Sequence, residues 1–129
     1  MQIHQSAEDY LETILMLTQR MGKVRSIDVV NELGFTKASV SIAMKKLREN
    51  GYIAVDGEGN LTLLEPGLEI AQRIYSRHRL LTHFFVQLGV DEQTAAEDAC
   101  KAEHILSEQT LEKIRESALR NDAAHPQAK

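Results

Sequence analysis

Two adjoining stretches decide the fold: SIDVVNELGFTKASVSIAMKKLRENG (residues 26–51) and YIAVDGEGNLTLL (residues 52–64). In the first, Ser26 is an N-cap candidate. Ile27, Val29, Val30 and Leu33 then make a short helix that stops at Gly34, a residue suited to the left-handed turn after a helix. A second helix is expected from Thr36 or Lys37, with Val40, Met44 and Leu47 facing inward and Gly51 closing it. Two short helices joined by a tight turn containing glycine make a helix-turn-helix. In the second stretch, apolar arms at 52–55 and 61–64 flank Asp56-Gly57-Glu58-Gly59-Asn60, which has the turn chemistry of a hairpin. That hairpin reads as a wing.

Outward from this module, Ser6 can cap a first helix whose apolar positions Tyr10, Leu11, Ile14, Leu15 and Leu17 share one face, with Met21 and Gly22 ending it. After the wing, a long helix is expected from Glu65 to Gly89. Its apolar residues Ile70, Ile74, Leu80, Leu81, Phe84, Phe85 and Leu88 suit burial between neighbours or across a dimer interface. Two more helices follow, near Asp91–Leu106 and Ser107–Asn121, the second opened by a Ser107 cap. The expected class is mainly α with a small β-wing: a winged helix-turn-helix over 1–64, a helical dimerisation and metal-binding half over 65–121, and a loose tail over 122–129.

The chain has 129 residues, 43% of them hydrophobic and 26% charged, which is ordinary for a soluble folded protein. The start lacks a signal-peptide pattern and no run approaches the ~20 apolar residues of a membrane span, so a cytoplasmic protein without membrane association is expected. A lone cysteine, Cys100, cannot close an internal disulfide. The net charge of −4 conceals an asymmetry: residues 20–50 carry +4 and residues 89–129 carry −4. The basic half is the one with the helix-turn-helix. On the outer face of its second helix, Thr36, Lys37, Ser39, Ser41 and Lys45 offer hydroxyls and positive charge for DNA, and the helix N-terminus favours phosphate. The same residues also make an ordinary solvated face, and it is the wing and the local charge that favour the DNA reading.

A second constellation carries metal chemistry. Asp9 and Glu12 lie three apart on the first helix and so share a face. Cys100, Glu103 and His104 have the spacing that sets a thiolate, a carboxylate and an imidazole over one patch of a later helix, and His78 lies on the long helix. If these helices converge, three carboxylates, two imidazoles and a thiolate make a good set for a divalent transition metal. Each has a plainer reading alone: a solvated carboxylate pair, a small buried cysteine, a histidine at the surface or hydrogen-bonded in the core. Together they favour a site.

The runs AEDYLETILML, RIYSRHRLLTHFFVQLGVDE and DACKAEHILSEQTLEKI resemble the metal-dependent regulators that include the diphtheria toxin repressor and the manganese transport regulator, from about Ala7 to Ile114. The resemblance implies a homodimer that binds a palindromic operator duplex when Mn(II) or Fe(II), one or two ions per subunit, is bound, and that represses metal-uptake genes. No organic cofactor and no catalysis are implied. It places Asp9, Glu12, His78, Glu103 and His104 at ligand positions of the manganese type. Cys100 departs from that type, which often has Glu there, and matches the iron type. Thr82 and Ala96 stand where the iron type's accessory site has Glu and His, and the chain ends soon after the sixth helix, as in the short form without an SH3-like domain. Two alternatives are a winged-helix regulator sensing a small molecule, of the MarR-like kind, and a carboxylate-bridged di-metal enzyme. The latter is disfavoured because Glu103 and His104 are adjacent and no second Glu-x-x-His copy exists.

Overall fold

In the computed structural model, residues 5–124 are described. Their order is α1 (Gln5–Met21), α2 (Ser26–Leu33), α3 (Lys37–Glu49), β1 (Ile53–Val55), β2 (Leu61–Leu63), α4 (Glu65–Gln87), α5 (Glu92–Ala102) and α6 (Glu108–Ala124). This is the expected class, mainly helical with a two-stranded wing. The chain divides into two compact units, residues 1–73 and 74–129. The last five residues of the expected tail lie outside the described residues, whereas Asp122–Ala124 belong to α6.

In the first unit, α1 packs on α2, α3 and β2. Leu11, Ile14 and Leu17 of α1, Val29 of α2, and Val40, Met44 and Leu47 of α3 are all buried, as the helical spacing of these apolar residues requires. Thr36 caps α3, its Oγ1 accepting from Ser39 N at 3.1 Å. Gly34, at φ 71°, makes the turn between α2 and α3. Ser26 is not the cap of α2 but its first residue. Arg25 holds the N-cap position in extended backbone, and its N–H donates to the Asp28 carboxylate at 2.9 Å. The reason is tertiary: Arg25 forms an antiparallel bridge with Asn60, and Leu61 N donates to Val24 O at 2.7 Å.

The wing pairs Ile53 with Leu63 and Val55 with Leu61. Its loop is closed from within: the Asp56 carboxylate accepts from Glu58 N (2.9 Å), Asn60 N (2.9 Å) and Asn60 Nδ2 (3.0 Å). These bonds hold Asp56 below its ordinary pKa of 3.8, the Asn60 side chain contributing most. At the start of α4, Gly67 is the close-approach point of the unit. A Cβ there would lie 2.2 Å from Tyr52 O and 3.3 Å from Leu11 Cδ2.

In the second unit, Leu81, Ala99 and Leu111 form the centre of a small core joined by Leu80, Phe85, Ala102, Leu106 and Ile114. Leu88, grouped with the apolar residues suited to burial between neighbours or across a dimer interface, is 65% exposed in the single chain; α4 ends at Gln87 and the chain turns at Gly89. At the far end of the unit, His83 Nε2 and Gln87 Nε2 of α4 both meet Asp122 Oδ1 of α6 at 2.9 Å. This anchoring explains why α6 continues past Asn121. Ser107 caps α6 as expected, its Oγ accepting from Thr110 N at 3.1 Å.

Two outcomes are expected. Gly67→Ala should lower the unfolding free energy by about 1–3 kcal/mol in urea denaturation, even though alanine is the better helix former by about 1 kcal/mol; an unchanged or raised stability would contradict the close approach. Because the folded pKa of Asp56 is depressed, its contribution to wing order is complete above pH 3.8 and is lost as pH falls through the lower folded value. In an NMR titration the Asn60 side-chain amide should therefore move with a midpoint below 3.8.

Candidate metal centre and nucleic-acid interface

The donors of the second unit gather around Glu103. The sequence spacing suggests Cys100, Glu103 and His104 on one helix, but α5 stops at Ala102. Glu103 occupies the C-cap, and residues 103–105 form a turn. No glycine or proline marks this end. Arg77 of α4 sets it from outside, Nη1 donating to Glu103 O at 3.2 Å while the guanidinium also pairs with the Glu108 carboxylate in the first turn of α6.

The Glu103 side chain is fully buried. His78 Nδ1 lies 3.1 Å from its Oε2, and His104 Nε2 lies 3.4 Å from its Oε1. Oε1 nonetheless has no hydrogen-bond partner among the described residues. A carboxylate oxygen left in this state away from water is costly, and a cation would relieve it. Cys100 is exposed rather than packed as a small apolar residue, and its Sγ is within 4.8 Å of a Glu103 carboxylate oxygen. The second unit thus brings together His78, Cys100, Glu103 and His104. A carboxylate, two imidazoles and a thiol fit a divalent transition metal.

The first unit carries the other two expected donors on α1. Asp9 is partly buried and Glu12 is buried. The neighbouring Tyr10 hydroxyl is pushed above its ordinary pKa by burial and, to a lesser extent, by the charge of Asp9.

On α3 the expected DNA-facing residues Lys37, Ser39, Ser41 and Lys45 are all exposed, as is Thr36 at the cap. Besides accepting from Ser39 N, the Thr36 hydroxyl donates to Ser39 Oγ at 2.8 Å. These two hydroxyls therefore stabilise the helix start as well as face outward. Sequence reasoning missed Arg77 as a positioning residue. Its place beside His78 was visible, but its partners lie 26 and 31 residues further on.

A winged helix-turn-helix with a basic outer helix, followed by a helical unit built around an incompletely satisfied carboxylate, defines a DNA-binding regulator of the ligand-responsive class. Comparison with known proteins narrows this. The family model of the iron-dependent repressor N-terminal DNA-binding domain matches residues 2–61, and that of the iron-dependent repressor metal-binding and dimerisation domain matches residues 64–126. The chain belongs to this family of metal-dependent, DNA-binding transcriptional repressors.

Among its relatives, an uncharacterised HTH-type transcriptional regulator of Methanocaldococcus jannaschii is 37% identical, over 86% of this chain and 90% of the relative. The HTH-type transcriptional regulator MntR of Bacillus subtilis is 34% identical, over 84% of this chain and 77% of its own length. Of the solved structures, a manganese-dependent transcriptional repressor in complex with manganese superposes with a TM-score of 0.79 at 28% identity, covering 87% of this chain and 52% of that one. The manganese regulator SloR gives a TM-score of 0.77 at 25% identity, covering 94% of this chain and 55% of that one. The chain thus spans about half the length of these two solved chains.

Arg77→Ala should leave the protein folded but weaken divalent-metal affinity by about 10- to 100-fold, the usual cost of losing a residue that orients a ligand. Competition against a fluorescent chelator measures this, and an unchanged affinity would remove Arg77 from the site's design.

Proposed function

We propose that this chain is a homodimeric repressor of metal-uptake genes in the cytoplasm, which binds a palindromic operator when Mn(II) or Fe(II) is bound. The observation that carries the metal reading is the buried Glu103 carboxylate, facing two imidazoles yet with Oε1 unsatisfied. His78, Cys100, Glu103 and His104 would hold the ion with Asp9 and Glu12 of α1, one or two ions per subunit, and no organic cofactor is needed. Thr36, Lys37, Ser39, Ser41 and Lys45 would meet the operator. The protein acts as a regulator and not as a catalyst.

Bound metal would supply the positive charge that these donors can hold. The chain's own part is to offer the donors, whose occupation favours one spacing of the dimer's two reading helices over the others. Shifting such an equilibrium from 1:99 to 99:1 takes about 5.5 kcal/mol of differential binding.

Among hard carboxylates the donor set suits Mn(II), whereas the thiolate of Cys100 and the imidazoles improve the fit for Fe(II) and later ions. Operator affinity measured anaerobically with Mn(II), Fe(II), Zn(II) and chelator, at one stated salt concentration, tests the reading. Tight binding is expected with metal and loss of about 10-fold or more with chelator; equal affinity in all four conditions overturns it. Cys100→Glu should shift activation towards Mn(II) at the expense of Fe(II), read in the same assay.

A further inference from the structure

The outer face of α3 holds one residue that neither capping, packing nor charge explains. Ile42 is 58% exposed, the most solvent-accessible large apolar side chain among the described residues of the first unit. It stands two residues from both Val40 and Met44, hence about 160° round the helix from each, and those two are buried. Ile42 is therefore the outward pole of the helix. Ala38, one turn earlier, is exposed beside it. A β-branched residue is a mediocre choice for helix stability at an exposed site.

A single surface isoleucine is ordinary on most helices, but its surroundings here are not. Lys45 and Lys46 are exposed on either side of it, with Ser41 and Lys37 exposed further round the helix. If α3 lies in a major groove, cations on its flanks reach the phosphates of the two strands, and the outward pole meets base edges. The one apolar group that a base pair presents there is the C5-methyl of thymine. An isoleucine against the amino group of cytosine or adenine would instead bury a donor without an acceptor.

We infer that Ile42, supported by Ala38, is a specificity-determining residue that reads a thymine methyl in each half-site of the operator. The inference rests on the DNA-binding reading of α3 given above.

The test uses the full chain with Mn(II) added and a duplex selected by it from a random pool. Each thymine is replaced in turn by deoxyuridine, which removes only the methyl group. Wild type is expected to lose about fourfold in affinity at one thymine per half-site, the value of burying one methylene-sized group. Ile42→Ala should bind thymine and uracil duplexes equally at that position, with an unchanged melting temperature. Equal affinity of wild type for every uracil-substituted duplex overturns the inference, and so does a methyl effect that persists undiminished in Ile42→Ala; in both cases, continued sequence-selective binding leaves the DNA-binding reading standing. Failure to enrich any duplex overturns that reading and this inference with it.

Discussion

The second unit depends on how a single carboxylate is held. Glu103 is buried in the turn that ends α5, between imidazoles from α4 and from its own neighbour in sequence, while Arg77 grips its backbone carbonyl. Removing a carboxylate from water is among the more expensive steps in folding, and it is tolerated only where opposite charge and hydrogen bonds are at hand. Here the compensation is partial. The helix end and the pairing of Arg77 with Glu108 surround a group whose own hydrogen bonding is incomplete.

The first unit solves a different problem. Strands of three residues make a hairpin that would be marginal alone. It is stabilised by the chain segment entering α2, through the Arg25–Asn60 bridge and the bond from Leu61 N to Val24 O. Val24, Ile53 and Leu61 are all buried, so the wing shares the core of the helix-turn-helix.

Much of this was legible in the sequence because it depends on local signals. The start of α3 near Thr36 or Lys37, the stripe of Val40, Met44 and Leu47, the glycine turn at Gly34 and the hairpin around Asp56–Asn60 follow from spacing and turn chemistry, and each is present in the structure. What was not legible depends on contacts between distant residues. Arg25 displaces Ser26 from the cap because of Asn60. The stretch Ala102–Leu106 contains no helix breaker, so the end of α5 is invisible without Arg77. The last turn of α6 is retained by His83 and Gln87. The spacing of Cys100, Glu103 and His104 assumed a helix where Glu103 and His104 lie in a turn, and the exposure of Ile42 could not be known before its neighbours were placed.

The wing's internal closure has a consequence for how the two faces of the first unit can vary. The Asp56 carboxylate directs its bonds back into its own loop, and β1 and β2 are fixed at their bases by α2's entry segment and by the Tyr52 carbonyl, which accepts from Leu64 N at 3.0 Å. Changes of side chain at Gly57 and Glu58 can therefore accumulate over generations, because Glu58 closes the loop through its backbone, while Gly59, at φ 86° against the Arg25 side chain, and Asn60, which bonds Asp56 and bridges Arg25, stay under constraint.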